Sequence, residues 1–310
     1  MADFLTALGT SAALPTKKRS CSAYFMQIGN ERILMDCGEG TQRQLNSFVP
    51  NGFRINRIFI SHSHADHILG LPGLLLSMSL NGRNKVLYIY LPAIVKEWLC
   101  LQLGFFDVNL GYEIEMIEHD FDERALLWSG LHHNFYSIPL DHTTDCCGLQ
   151  VVKRSIKYKL HKHIVKKYAL TVDQILKLKK GEDIQLESGL TLGAKEATFD
   201  IPEKKVLAFI TDTRVIKDYA PLLNGTYYLI HESTFCDDLE ERAKETGHST
   251  ARQSAQFALQ AEVKNLYLTH ISSRYQNIQQ FESEARSIFP RTVVLYDGFK
   301  IPLTQTEEEA

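Results

Sequence analysis

Short apolar runs with the composition of β-strands alternate along this chain with stretches that have helical composition. The clearest strand-like runs are residues 32–36, 57–61, 86–91, 112–117, 134–140, 206–212, 226–232, 265–271 and 292–298. Residues 71–80 predict a buried helix, because Pro72 stands at its start and Asn81 and Gly82 follow its last apolar residue. This alternation predicts a layered α/β protein.

Several of the apolar runs end in a histidine or an aspartate. The examples are Ile60-Ser61-His62, Ile210-Thr211-Asp212, Leu229-Ile230-His231 and Leu268-Thr269-His270. In α/β sheets, ligands and catalytic groups collect at the carboxyl ends of the strands. We therefore expect separate segments of the chain to deliver these side chains to one edge of a sheet.

One segment, His62-Ser63-His64-Ala65-Asp66-His67, contains four metal-binding side chains. Alternate positions on an extended segment point two imidazoles to one side, and Asp66 and His67 supply ligands for a second position nearby. Without a cation, such a cluster would be desolvated at a high cost. Imidazole and carboxylate ligands suit zinc, and two metal ions ~3.5–4 Å apart can act on both oxygens of a phosphodiester displacement.

Further ligand candidates follow later strand-like runs. His142 comes after run 134–140, Asp212 ends run 206–212, and His270 follows Thr269. Taken alone, each of these residues would more often be a loop or capping residue. Together with the six-residue segment they make a set of seven potential ligands. The histidines at positions 119, 132, 133, 161 and 163 are not assigned to a metal.

The overall composition restricts where the protein acts. The 310 residues have a formal net charge of −3 and are 44% hydrophobic, so a large soluble core is possible and a polyanion site must be a local patch. No segment approaches the ~20 apolar residues that cross a bilayer. Asp3 comes early and the basic residues 17–19 follow the apolar stretch, unlike in a secretion signal. Scattered cysteines without a CxxC pair indicate reduced thiols and a cytoplasmic protein.

The segment between Cys146 and Val172 differs in charge from the rest of the chain, because it has no Asp or Glu. Its seven basic residues are Lys153, Arg154, Lys157, Lys159, Lys162, Lys166 and Lys167. A run of like charges is usually a solvated surface, but this many cations without an anion favours binding to a polyanion. We interpret residues 151–185 as a basic arm inserted into the fold.

The HxHxDH segment, followed by isolated His, Asp and His at later strand ends, resembles the metallo-β-lactamase superfamily. The resemblance implies a four-layer αββα sandwich, formed by residues 1–310 as a single domain with the inserted arm, and a site with two zinc ions per subunit. By position, it implies that His62, His64 and His142 hold one zinc ion, that Asp66, His67 and His270 hold the other, and that Asp212 bridges them.

Other segments resemble ribonuclease Z, the tRNA 3′-processing endonuclease, in its short form. They are LGTSAALPTKKRSCSA from Leu8, DCGEGTQRQ from Asp36, TDTR from Thr211, HESTF from His231, GHST from Gly247 and THISSRY from Thr269. This resemblance implies a homodimeric hydrolase that cuts precursor tRNA after the discriminator base, leaving a 3′-hydroxyl on the tRNA and a 5′-phosphate on the trailer. It also implies that the arm of one subunit clamps the tRNA while the partner subunit cuts.

The resemblance to ribonuclease Z also implies catalytic roles for particular residues. Asp66 would orient or deprotonate the attacking water in addition to binding zinc. His248 would stabilise the scissile phosphate or protonate the leaving 3′-oxygen, and Glu232 would hold His248 in place. The alternative for His248 is a neighbour of the helix cap at Ser249 and Thr250.

Basic residues in two loops and in the arm are candidates for contact with RNA phosphates. They are Lys17 and Arg19 in the PTKKR loop, Arg274 in the SSRY loop, and Lys153, Arg154, Lys157 and Lys159 in the arm. For each, ordinary solvated charge is the alternative. The arm departs from the short-form pattern, since no proline stands between Pro139 and Pro202, where a knuckle rich in glycine and proline is expected.

Two other functions are compatible with parts of this pattern. Another hydrolase of the same fold, such as a thioesterase like glyoxalase II, a sulfatase or a small phosphodiesterase, would keep the zinc ligands. It would have no need of the PTKKR loop, the arm or GHST. A non-catalytic relic that binds RNA or protein would have lost some ligands or His248, and this chain retains the whole set.

Overall fold

The computed structural model describes residues 2–105, 110–119, 121–215 and 219–303. The chain forms two compact units. The first, here called the sandwich unit, comprises residues up to 151 and from 205 onward; the second, here called the inserted unit, is Val152–Lys204. The HxHxDH segment belongs to the sandwich unit, and most of the predicted basic arm belongs to the inserted unit.

The strands follow the predicted alternation along the chain. In chain order they are β1 Phe4–Gly9, β2 Ser11–Ala12, β3 Ala23–Ile28, β4 Glu31–Met35, β5 Arg57–Phe59, β6 Leu87–Leu91, β7 Ile114–Glu118, β8 Leu126–Ser129, β9 His133–Leu140, β10 Cys146–Lys153, β11 Ile156–Leu160, β12 Ile184–Gln185, β13 Thr191–Leu192, β14 Thr198–Ile201, β15 Lys204–Ile210, β16 Tyr228–Glu232, β17 Asn265–Thr269, β18 Ile271–Ser272, β19 Thr292–Val294 and β20 Lys300–Pro302. Each predicted strand-like run contains or overlaps one of them.

The helices are mostly short, and the predicted buried helix has the expected bounds. They are α1 Thr41–Phe48, α2 Ala65–Ile68, α3 Leu71–Leu80, α4 Ala93–Phe105, α5 Lys162–Lys167, α6 Val172–Lys179, α7 Ala194–Ala197, α8 Ala220–Leu223, α9 Glu240–Thr246, α10 Ala251–Gln260 and α11 Gln279–Arg286. Within the described residues, none of them is both long enough and apolar enough to span a membrane.

Two large sheets dominate the part of the chain that the structure describes. One has seven strands in the order β20-β1-β3-β4-β5-β6-β7, and the other has seven in the order β19-β17-β16-β15-β10-β9-β8. Strands β4 to β7 run parallel, and so do β15, β16, β17 and β19. Because parallel strands end at a common edge, the loops after β4 and β5 leave one edge of the first sheet together, and the loops after β15, β16 and β17 leave one edge of the second.

The alternation of side chains along the strands separates the layers. On β15, Phe209 belongs to the apolar cluster between the two sheets, whereas Ala208 belongs to the cluster beneath the helices that cover the second sheet. In that outer cluster, Phe257 of α10 and Phe281 of α11 pack with Leu229 of β16. The period of two along a strand therefore gives the second sheet one face for each cluster.

The first sheet is covered in the same way on its outer face. Phe25 and Leu34, on β3 and β4, lie in one cluster with Leu74 of α3 and Leu99 of α4. Their strand neighbours Tyr24 and Met35 face the second sheet instead, in the cluster between the sheets. The sandwich unit therefore has the predicted four-layer αββα arrangement.

The inserted unit is a folded body with a core of its own. Its strands β11 and β14 pair antiparallel, and β12 pairs with β13. Its core consists of Ile164, Leu170, Leu178, Ile184, Leu192, Ala194 and Ala197. Because α7 and the return strand β14 belong to this body, it extends to Lys204, beyond the predicted limit at residue 185.

Replacing Phe209 with alanine tests the packing between the sheets. Phe209 is fully buried, and its ring centroid lies 4.8 Å from that of Tyr24 in the opposite sheet. Because the substitution leaves a cavity, Phe209→Ala should lower the free energy of unfolding by about 3–5 kcal/mol in urea titrations. The control Leu259→Ala removes a side chain of α10 that is 57% exposed and should change that value by less than about 0.5 kcal/mol. Equally small losses in both variants would contradict the layered core.

Candidate metal centre

The backbone of the HxHxDH segment is extended in its first half and helical in its second half. The side chains of the two halves therefore point in different directions. The segment follows β5, and His64 has an extended backbone immediately before α2. Asp66 and His67 therefore lie on the first turn of a short helix, while the preceding histidines lie on extended chain. The turn after β4 packs closely against this helix: a Cβ on Gly38 would lie 2.1 Å from the carbonyl oxygen of Asp66.

The structure brings all seven predicted ligands together at the edge where the strands end. One group, whose ligand atoms lie within 4.8 Å of one another, consists of His62, His64, His142 and Asp212. A second such group consists of Asp66, His67 and His270. A third group, Asp212, His248 and His270, shares Asp212 with the first and His270 with the second.

Asp212 belongs to the first group and also faces the second. Its Oδ2 is 3.8 Å from Nε2 of His142 in the first group and 3.4 Å from Nε2 of His67 in the second. Its other oxygen, Oδ1, is 3.3 Å from Nε2 of His270. The two oxygens of one carboxylate thus face imidazoles of both groups.

Asp36 orients two of the imidazoles, a role that the sequence left unassigned. Its Oδ2 accepts hydrogen bonds from Nδ1 of His67 at 2.8 Å and from the Ser61 hydroxyl at 3.1 Å. Because that hydroxyl donates to Asp36, it accepts from Nδ1 of His62, 2.9 Å away. Both histidines then present the lone pair of Nε2 to the centre. The sequence did contain a sign of this role, because Asp36 ends run 32–36 in the same way as Asp212 ends run 206–212.

Glu232 has the corresponding role on the second sheet. Its Oε1 lies 3.0 Å from Nδ1 of His248, and its Oε2 accepts from the backbone N–H and the hydroxyl of Thr234 at 2.8 and 2.9 Å. Because the Thr234 hydroxyl donates to Glu232, its oxygen accepts from Nδ1 of His270, 2.9 Å away. Glu232 therefore positions His248 directly and His270 through Thr234, which extends the predicted pairing.

Unsatisfied nitrogen atoms at the centre fit a cation. The Nε2 atoms of His62 and His67 are buried and have no hydrogen-bond partner in the described part of the chain. Leaving a buried polar atom unpaired costs about 1–3 kcal/mol. Nδ1 of His142 donates to the carbonyl of Gly247 at 2.7 Å, so its Nε2 also offers a lone pair. Imidazole nitrogens and carboxylate oxygens converging in this way form a donor set suited to zinc.

The protonation states of three histidines agree with such a donor set. Burial lowers the pKa values of His62, His64 and His142, which favours neutral imidazoles. Burial disfavours an ionised Asp212, but His270 and His67 outweigh it and hold its pKa well below the usual range. Burial also opposes a charged His67, yet the surrounding carboxylates, with Asp212 foremost, raise its pKa well above the usual range. The carboxylates thus strongly favour a positive charge at the centre.

His248 stands at the rim of the centre. Its side chain is 14% exposed, and its ring centroid lies 5.0 Å from that of His142 and 5.4 Å from that of His270. Burial disfavours its charged form, but the Glu232 carboxylate dominates and raises the pKa of His248 to about 9. The imidazole is thus held as a cation whose Nε2 is free of the bond to Glu232.

Two loops with predicted RNA contacts lie beside the centre. The backbone N–H of Ala13, in the loop that carries Lys17, donates to Oδ2 of Asp66 at 2.8 Å. Strand β2, just before this loop, pairs with β18, just before Arg274. Lys17 and Arg274 are both exposed. The pairing therefore holds the two cationic loops next to each other at the edge that carries Asp66.

Arg19 departs from the prediction. Its guanidinium is half-buried, and Nη1 donates to the Thr10 hydroxyl at 2.5 Å and to the carbonyl of Leu295 at 2.7 Å. Burial lowers the pKa of Arg19, while Asp297 partly offsets this effect. This side chain ties the N-terminal loop to the end of β19 in the sandwich unit and is only partly exposed.

The four predicted contacts of the arm lie on the surface of the inserted unit. Lys153, Arg154, Lys157 and Lys159 are all exposed, and Nζ of Lys159 lies 5.7 Å from the centre of the Phe199 ring. Among the histidines that were not assigned to a metal, His119 is buried with Nε2 2.8 Å from the carbonyl oxygen of Ile60. It is therefore satisfied by the backbone outside the ligand groups.

Comparisons with known proteins agree with this fold and site. The family described as Anti-Pycsar protein Apyc1 matches residues 4–109, which is less than half of the chain. The metallo-beta-lactamase fold protein YhfI from Bacillus subtilis has a TM-score of 0.67 at 17% identity, covering 97% of this chain and 99% of that chain. At this identity the likeness concerns the fold.

Two other matches are closer in sequence. The crystal structure of human tRNase Z, short form, has a TM-score of 0.69 at 25% identity and covers 97% of this chain and 100% of that chain. The ribonuclease Z of Parabacteroides distasonis is 34% identical over 302 residues, which are 97% of this chain and 99% of that protein. Because this identity extends over nearly the whole length of both proteins, the chain belongs to the ribonuclease Z family.

Proposed function

We propose that this protein is a zinc-dependent endoribonuclease that cleaves precursor tRNA on the 3′ side of the discriminator base. The products are a 3′-hydroxyl on the tRNA and a 5′-phosphate on the trailer. Membership of the ribonuclease Z family supports the reaction. For this chain itself, the observation that carries the proposal is the convergence of two ligand groups on Asp212, with His248 held beside them by Glu232.

Two zinc ions fit this centre. His62, His64 and His142 would hold one ion, Asp66, His67 and His270 would hold the other, and Asp212 would bridge them. When bound, the ions polarise the scissile phosphate and lower the pKa of the attacking water. The surrounding carboxylates raise the pKa of His67. With zinc bound, the metal ions would replace the proton on His67 as the positive charge that these carboxylates face.

Asp66 is suited to orient or deprotonate the attacking water. Its side chain is 12% exposed, and its Oδ2 lies 3.5 Å from Nε2 of His67 and 3.4 Å from Nε2 of His270. The hydrogen bond from the N–H of Ala13 fixes the same oxygen. His67 and His270 hold the pKa of Asp66 far below its usual range although burial opposes ionisation. The carboxylate is thus charged, fixed and accessible.

His248 is suited to serve as the general acid. Its Nδ1 faces Glu232, so the proton available for transfer is on Nε2. As water forms its bond to phosphorus, the bond from phosphorus to the 3′-oxygen breaks, and this oxygen takes the proton. Before that transfer, the imidazolium stabilises the charge that develops on the phosphate.

The exposed cations supply contacts with the RNA backbone. Lys17 and Arg274 lie on loops beside Asp66, where the acceptor end must reach, and Lys153, Arg154, Lys157 and Lys159 form a basic surface on the inserted unit. Such contacts position the substrate without reading its sequence. Arg19 keeps a structural role in this proposal.

The wider organisation follows from the family. We propose one metallo-β-lactamase domain over residues 1–310 whose inserted arm is Val152–Lys204, a homodimer in which the arm of one subunit holds the tRNA cut by its partner, and a cytoplasmic location. The exposed apolar side chains Ile94 and Leu101 on α4 are available to a second copy. The free state of all six cysteines agrees with a reducing compartment.

Cleavage of a 3′-extended precursor tRNA, with and without a chelator, tests the function. We expect a chelator-sensitive cut after the discriminator base. Asp212→Ala should lose bound zinc and activity together, whereas His248→Ala should keep its zinc, measured by atomic emission, and lose about 10²–10⁴-fold in kcat. Zinc-loaded protein that ignores this RNA but hydrolyses a small thioester or phosphodiester would overturn the tRNA assignment. A wild-type rate for His248→Ala would remove His248 from the mechanism.

Glu232→Gln tests how His248 is kept protonated. The Glu232 carboxylate raises the pKa of His248 to about 9, so its replacement by a neutral amide should lower that pKa. Because the general acid acts when protonated, the decline of kcat on the alkaline side should move to lower pH. Zinc content is measured alongside, and Glu262→Gln, at an exposed carboxylate, serves as the matched control. An unchanged pH profile in a zinc-replete Glu232→Gln enzyme would contradict this role.

Gly247→Ala tests the support of His142. An added Cβ at Gly247 would lie 2.8 Å from Nδ1 of His142, and the backbone there has φ +76. We expect the displaced imidazole to lower zinc affinity by about 10–100-fold. In the control Gly225→Ala, φ is +73 but no atom lies within 4 Å of the added Cβ. Backbone strain therefore affects both variants, and equal zinc affinities would exclude a specific effect on His142.

A further inference from the structure

A groove in the sandwich unit follows α1 from the turn after β4 to the opposite edge of the first sheet. Its upper part has a volume of about 520 Å³ and begins at Glu39 and Gly70. Its lower part has a volume of about 980 Å³ and ends at Arg54 and Lys85. Both parts have Asn46 and Phe53 in their walls, so they adjoin each other at these two residues.

The upper end of the groove is linked by backbone hydrogen bonds to the segment that carries Asp66 and His67. Gly70 follows α2, which carries Asp66 and His67, and its N–H donates to the carbonyl of Cys37 at 2.9 Å. The N–H of Cys37 in turn donates to the carbonyl of His67 at 2.8 Å. The wall of the groove is therefore tied by its backbone to the ligand segment.

The lower end of the groove lies at the far edge of the sheet. Arg54 precedes the start of β5 and Lys85 precedes the start of β6, whereas His62 follows the end of β5. Helix α1, which forms part of the wall, has 8 residues and is about 12 Å long. A strand of several nucleotides therefore has room to follow the groove away from the centre.

The groove is cationic although the chain as a whole carries a net charge of −3. Among the described lining residues the carboxylate is Glu39, at the metal end, and the lower part contains none. The cations are Arg32, Arg43, Arg54, Arg83 and Lys85. Arg43, Arg54 and Lys85 are exposed and form no ion pair with any described residue. This charge is unused within the fold and is available to a polyanion.

The walls also provide groups that suit nucleotides. Phe53 is half-buried at the junction of the two parts, where its ring can stack on a base. The lower part is rich in asparagine side chains, at positions 30, 46, 51, 56, 81 and 84, which offer both donors and acceptors. A cationic groove that contains an aromatic ring is the usual means of holding single-stranded nucleic acid.

We propose that this groove binds the single-stranded 3′ trailer of the precursor, downstream of the cut. The inference rests on the proposed function, because the trailer is the strand that continues from a scissile phosphate at the metal centre. The trailer has the features that the groove matches: phosphates for the cations, unpaired bases for Phe53, and a single strand that continues directly from the cut.

Kinetics with precursors of two trailer lengths test this inference. One precursor carries a single-nucleotide trailer, and the other carries a trailer long enough to follow the whole groove. Arg54→Ser/Lys85→Ser should raise KM several-fold for the long trailer alone. Because two phosphate contacts are lost, the salt dependence of log(kcat/KM) should become shallower by about 1.4. The matched control is Lys264→Ser/Arg291→Ser, which removes one Lys and one Arg, both exposed and just before strands of the second sheet.

The outcomes separate this inference from the function itself. Wild-type enzyme that cuts both precursors with the same KM, or a groove variant that behaves like the control, would overturn the trailer site and leave the endonuclease intact. Failure of the wild type to cut either precursor would instead overturn the proposed function. Competition by inorganic phosphate that the variant abolishes, without any effect of trailer length, would indicate a small-anion site and contradict the proposal.

A second measurement uses the unaltered, zinc-loaded enzyme and so does not depend on the folding of a variant. A photoreactive base in the trailer is irradiated within the first turnover, and the crosslinked peptide is identified by mass spectrometry. We expect attachment in the segment that contains Phe53. Crosslinks confined to the inserted unit would contradict the proposed path.

Discussion

The centre depends on two fully buried carboxylates that hold its histidines in place. Asp36 follows a strand of the first sheet and Glu232 ends a strand of the second, and both are fully buried. Each accepts a hydrogen bond from one imidazole directly and from a hydroxyl that serves a second imidazole. Burying carboxylates is unfavourable unless hydrogen bonds satisfy them. Here the hydrogen bonds that satisfy the carboxylates also orient four histidines.

The sandwich makes this arrangement possible because it brings the ends of two sets of parallel strands to one place. The first sheet provides Asp36 and the HxHxDH segment, and the second provides Asp212, Glu232 and His270. The bridge between Asp141 and Arg214 holds the loop that carries His142 against the loop that follows Asp212. Backbone strain accompanies this convergence, since Asp36 and His270 both have φ of 58, a conformation that non-glycine residues rarely adopt outside sites the surrounding structure holds in place.

Anionic and cationic side chains occupy different places in this chain, which is slightly acidic overall. The centre combines anionic ligands with neutral imidazoles and therefore attracts cations. Exposed lysines and arginines lie beside the centre on the N-terminal loop and the SSRY loop. Other exposed cations line the groove along α1, and others lie on the surface of the inserted unit. Net charge consequently says little about RNA binding in this protein, because the relevant charges are local.

The amino-acid sequence was sufficient to predict the layered fold and to name the seven His and Asp side chains that the structure brings together. Local patterns were sufficient, because alternating apolar runs predict strands and side chains at strand ends converge wherever strands run parallel. The spacing of HxHxDH likewise depends on a few consecutive residues. Three features became visible only in the folded chain: Asp36 orients His62 and His67, Arg19 makes hydrogen bonds within the fold, and α1, Phe53 and Lys85 line one groove. These facts depend on residues far apart in the chain, and their contacts are set by the pairing and packing of whole sheets, which no local period encodes.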